Sequence, residues 1–109
     1  MSKNSIDNSH SRLEEMVKIS VRYNDYLARP RLYHGFASTR KERKNDVAKY
    51  VATVKKTLAK LNDENRYIIK NEFLTSNNDP MWWSKYYSKS TYYRKRYFAI
   101  KQFMEIYAQ

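Results

Sequence analysis

Between Leu13 and Leu27 the apolar positions recur at helical spacing. Leu13, Met16, Val17, Tyr23 and Leu27 share a face with Ser20, and Ile19 and Tyr26 widen it until Pro30 breaks the pattern. This predicts a first amphipathic helix, capped by Ser9 or Ser11, with the polar residues 1–8 expected to fray. Residues 29–44 show no stripe. They hold the single glycine, Gly35, and set Arg29, Arg31, Arg40, Lys41, Arg43 and Lys44 against Glu42, the composition of a basic connector. Asn45 or Asp46 then caps a second helix in which Val47, Tyr50, Val51, Val54, Leu58 and Leu61 form one buried face. Lys49, Lys55, Lys56 and Lys60 lie opposite.

The stretch "NDEN" interrupts at Asn62 and places acids in the first turn of a third helix, where they suit the helix dipole, and Ile68, Ile69 and Phe73 supply its apolar side. After the polar turn "TSNND", Asp79 is a cap with Pro80 at the first helical position, opening the very short helix "MWWSKYY". Ser88 caps a last helix that reaches almost to the chain end. Lys89, Ser90, Tyr93 and Arg94 form its polar front, while Tyr92, Arg96, Ala99 and Phe103 form its back. Glycine and proline are scarce and no segment alternates with period two, so the pattern predicts an all-α chain.

Charge changes this picture from fold to partner. The chain of 109 residues carries 22 Lys and Arg against 11 Asp and Glu, a net charge of +11, which attracts polyanions. An AT-rich coding bias toward lysine, asparagine and tyrosine is the alternative source of that excess. Without cysteine there are no disulfides, thiolate metal sites or cysteine nucleophiles. His10 and His34 stand far apart without companion ligands, and no phosphate-cradling glycine loop or hydrolase motif occurs. Asp63, Glu64 and Glu72 fit caps and exposed helix faces better than a catalytic pair. No enzyme activity, cofactor or metal is expected. No apolar run is long enough to span a bilayer and the first residues lack a signal peptide's apolar stretch, which leads to the expectation of a cytoplasmic protein without a membrane partner.

A medium helix, a very short one and a long basic one in succession form the layout of a helix-turn-helix, whose last helix lies in the major groove. At this point a family can be named. "LNDENRYIIKNEF" resembles the scaffold segment of region 4 of sigma-70-type factors, and "SKSTYYRKRYFAIKQF" resembles its recognition helix. The pairing is also similar to phage regulators of ArpU or RinA type and to small mollicute relatives. The resemblance covers the C-terminal half of the chain. It departs from the family where Tyr86 stands in place of the usual turn glycine and where Trp82 and Trp83 replace smaller residues. The sigma regions that bind the −10 element and the main polymerase clamp are missing.

The resemblance implies a small helical domain with a C-terminal sigma region 4-like helix-turn-helix: residues 1–44 as N-terminal helix and basic connector, residues 45–109 as the helix-turn-helix unit. It implies recognition of double-stranded DNA together with RNA polymerase. Carried over by position, Lys89, Ser90 and Arg94 read bases, with Thr91, Tyr93, Lys95 and Arg96 at the backbone. Arg40, Lys41, Arg43 and Lys44 add auxiliary positive charge. For Trp82, Trp83, Tyr86 and Tyr87, stacking on unpaired bases stands against core packing, and core packing is expected, with Trp82 and Tyr86 at i, i+4 on one helical face and one of that pair exposed. Apolar residues spread around the last helix, Tyr97, Phe98, Ile100, Met104, Ile106 and Tyr107, need a cover that the first helix supplies on one side. The remainder suits polymerase or a second copy in a homodimer. Three alternatives stay open: a polymerase-binding interaction protein that no longer reads promoters, a basic RNA- or ribosome-associated protein, and a phage packaging subunit.

Overall fold

The computed structural model describes residues 2–29, 40–74 and 79–109, with side chains at 10–29, 45–74 and 79–109. The fold is all-α. Helix α1 spans Ser2–Ala28, α2 Arg40–Lys60, α3 Asp63–Ile69 and α4 Lys89–Tyr107. A π-helical turn, Lys70–Leu74, extends α3, and a 3₁₀ turn, Trp82–Lys85, precedes α4.

Helix α4 is the centre of the molecule and packs against α1, α2 and α3. Its Tyr92, Ala99, Ile100 and Phe103 are buried. They form one core with Met16, Ile19 and Tyr23 of α1, Val54 and Leu58 of α2, Leu61, Ile68 and Ile69, and Trp83 of the 3₁₀ turn. Ala99, fully buried, is small enough to let the helices approach closely.

The ends of the helices are held by specific side chains. Asn62 adopts extended backbone and its side chain accepts from the Asn65 N–H, capping α3, with Asp63 and Glu64 in the first turn. The guanidinium of Arg66 turns back onto α2. It donates from Nε to the Leu58 carbonyl at 2.9 Å and from Nη2 to those of Ala59 and Leu61 at 3.1 and 2.7 Å, satisfying the terminal carbonyls of α2. Gln102 joins α4 to the start of α3. Its Oε1 accepts from Asn65 Nδ2 at 2.7 Å and from the Asn62 N–H at 3.3 Å. Tyr50 links α2 to α1 by donating its hydroxyl to the Ile19 carbonyl at 3.3 Å.

Several sequence expectations change. Helix α1 begins at Ser2 rather than at a cap at Ser9 or Ser11, because nothing in its first residues breaks a helix: neither glycine nor proline occurs there. Its buried line is Met16, Ile19, Ser20 and Tyr23, whereas Val17 and Leu27 are about half exposed, so the apolar stripe is centred on the Ile19 side. Helix α2 begins at Arg40, upstream of the expected cap at Asn45 or Asp46. The charged tail of the expected connector is therefore helical, as befits Arg, Lys and Glu, which are good helix formers. Residues 30–39, with Arg31, His34 and Gly35, lie outside the described residues, as do residues 75–78 of the polar turn. The segment after Pro80 is a 3₁₀ turn of four residues rather than a short α-helix. Asp79 still holds its entry, accepting from the Met81 N–H at 2.9 Å.

Candidate nucleic-acid interface

The last helix starts where Ser88, in extended backbone, turns its Oγ onto the Thr91 N–H. Thr91 is half-buried, and its hydroxyl accepts from Ser88 Oγ at 2.9 Å, which locks the first turn. Tyr86 keeps φ −114° and ψ −28°, so this turn needs no left-handed residue.

Behind α4 lies a network that sequence reasoning missed. Glu72 was expected on an exposed helix face. Instead the π-helical turn directs it inward, where its carboxylate is about three-quarters covered. Its Oε1 accepts from Trp82 Nε1 at 3.0 Å and from the Tyr92 hydroxyl at 2.7 Å, while Oε2 faces Arg96 Nη1 at 3.5 Å. The carbonyl of Phe73 in the same turn is taken by Asn24 Nδ2 of α1 at 3.0 Å. The Tyr92 ring stacks on Trp83 with centroids 4.7 Å apart and planes 3° from parallel, and Trp82 meets it edge-on at 5.5 Å. Burial, and then the hydrogen bond to Glu72, push the Tyr92 phenol well above its ordinary pKa. Glu64 of α3 makes a second anchor: it accepts from the Tyr87 hydroxyl and from Lys95 Nζ, both at 3.1 Å.

These contacts sort the residues expected at DNA. Lys95 and Arg96 are engaged by Glu64 and Glu72, and the Arg96 guanidinium also lies 4.8 Å from the centre of the Tyr93 ring. Lys89, Ser90 and Arg94 are exposed, and no side-chain hydrogen bond or ion pair holds them among the described residues. Tyr93, Tyr97 and Phe98 continue the exposed face, with Phe98 half exposed and edge-on to Tyr97 at 5.2 Å. Arg40, Lys41, Arg43 and Lys44 fall in the first turns of α2, and their side chains lie outside the described set. Lys49, Lys55, Lys56 and Lys60 are exposed along α2. Of the aromatic quartet before α4, Trp83 is buried, Trp82 and Tyr87 are partly buried, and Tyr86 is exposed. Core packing is as expected for the tryptophans, neither of which is exposed, and of the pair Trp82 and Tyr86 the exposed member is Tyr86.

Such a surface carries positive charge that attracts anions and presents hydrogen-bond donors at the start of a helix. Among the described residues no three His, Asp or Glu side chains gather as a metal site requires, and no helix is long and apolar enough to cross a membrane. His10 pairs with Glu14 along α1 at 2.6 Å. No family model, curated protein or solved structure matches the chain.

Proposed function

We propose that this chain is a DNA-binding transcriptional regulator of sigma region 4-like type that contacts duplex DNA with the first two turns of α4 and acts with RNA polymerase. The observation carrying this reading is the division of labour on that helix. Its back is buried and its inward cations are neutralised by Glu64 and Glu72, whereas Lys89, Ser90 and Arg94 project without internal partners. Arginine and lysine pair bidentately with guanine in the major groove and serine adapts to several base edges, so the free side chains are of the types that read sequence. Exposed lysines on α2 add attraction for phosphate that carries no sequence information.

Anisotropy of labelled duplexes across a salt series tests the proposal. Affinity is expected to fall by orders of magnitude from low to physiological salt. On a duplex selected from a random pool, Arg94→Ala is expected to cost about 1–3 kcal/mol and to have little effect on random duplex, whereas Lys56→Ala weakens both alike. Affinity that is flat with salt, or stronger binding to structured RNA, overturns the reading. The exposed pair Tyr97 and Phe98 favours a second role for the same helix as a protein-binding surface, for polymerase or for another copy of the chain.

A further inference from the structure

Where α1 crosses α4, Arg12 and Leu13 face Tyr93, Arg96, Tyr97 and Ile100 across a cleft of about 160 Å³. Its lining combines two arginines and two tyrosines with the apolar Leu13 and Ile100. The two arginines differ. Arg96 is committed to Glu72 and lies against the Tyr93 ring. Arg12 is half-buried, has no ion-pair partner among the described residues, and no carboxylate lines the cleft. An arginine lining a space with its charge uncompensated favours an oxyanion there, and tyrosines on the same lining are residues able to donate to its remaining oxygens. Lys89, Tyr93 and Tyr97 follow one another at i, i+4 and i+8, so the cleft continues the row that begins with an unpartnered lysine at the start of α4.

We propose that Arg12 of α1, with Tyr93 and Tyr97 of α4, forms a seat for one backbone phosphate of the duplex contacted by α4, making the N-terminal helix part of the DNA-binding surface. This rests on the duplex-binding reading of α4. The seat adds affinity without reading sequence, because the phosphodiester is common to every site. It also fixes how α4 lies on the duplex, since it grips the backbone from a second helix.

The test is the salt dependence of duplex binding by the full chain, measured for the wild type, Arg12→Gln, Arg12→Lys and Lys18→Gln. Lys18 lies on the same helix away from the cleft, and Lys18→Gln changes the net charge by the same amount. Arg12→Gln is expected to lower the steepness of log affinity against log salt by about one, the share of one released counterion, equally on selected and random duplexes. Arg12→Lys keeps the steepness and Lys18→Gln leaves it near the wild-type value. A steepness unchanged in Arg12→Gln, or lowered equally in Lys18→Gln, overturns the seat while leaving the reading of α4 intact. A wild-type chain that does not bind duplex overturns both. Circular dichroism melts confirm that each variant is folded before its binding is compared.

Discussion

The first two turns of α4 carry Lys89, Arg94, Lys95 and Arg96 in two contrasting settings. On the inner side Glu64 and Glu72 reach across from α3 and its π-helical extension to take Lys95 and Arg96. On the outer side Lys89 and Arg94 face solvent with no acid nearby to hold them. A run of cations in a sequence therefore does not say which of them serve a partner. That is decided by where the acids of the neighbouring element fall, and here the acids divide one basic helix into a face that builds the domain and a face free to bind.

The contrast is broken most severely from the inside. Tyr92→Ala removes a fully buried ring, its stack on Trp83 and its bond to Glu72, and is expected to destabilise the fold by about 3–5 kcal/mol in urea unfolding. Glu72→Ala leaves Trp82 Nε1, the Tyr92 hydroxyl and Arg96 without their shared acceptor. A loss of about 1–3 kcal/mol in the same measurement is expected, together with a shift of the tryptophan emission.

Alkaline titration sharpens the same side. The Tyr92 pKa is raised in the folded state above its ordinary value near 10, so its stabilising contribution is complete below about pH 10 and is lost as pH rises beyond it. Tyr50 is raised as well, first by burial and then by its hydrogen bond with Tyr107, and adds to the loss. Melting temperature is expected to fall above about pH 10, and Tyr92→Phe to flatten that fall. The smallest effect belongs to the outer side: Arg94→Ala and Phe98→Glu are expected to change unfolding free energy by no more than about 0.5 kcal/mol, because both residues are exposed. If Phe98→Glu unfolds the chain, Phe98 belongs to the core and the two-sided description of α4 fails.

What could be read from the sequence was what depends on neighbours along the chain. The cap at Ser88, the acids opening α3, and the buried line of Tyr92, Ala99 and Phe103 all follow from local spacing, and all are present. The lysine face of α2 was readable for the same reason. Glu72 was misread because its three partners lie on later segments, and the π-helical turn that aims it inward has no periodic signature. Arg66 was missed as the cap of α2 because it belongs to the next helix and reaches backward. The start of α2 at Arg40 was hidden because charge without an apolar stripe reads as connector, although the same residues tolerate a helix well. For the candidate interface, spacing alone placed Lys89, Ser90 and Arg94 at the front of α4. The engagement of Lys95 and Arg96, and the cleft that Arg12 and Tyr93 line together, required the fold.

Both tryptophans of the chain sit in the 3₁₀ turn before α4, with Trp83 stacked on the helix it introduces. The intrinsic fluorescence therefore watches a single joint of the molecule, while ellipticity at 222 nm sums over every helix. Followed together during unfolding, the two signals distinguish detachment of α1 from opening of the junction between α3 and α4. Ligand binding at the front of α4 has a ready optical reporter a few residues away, with no label added.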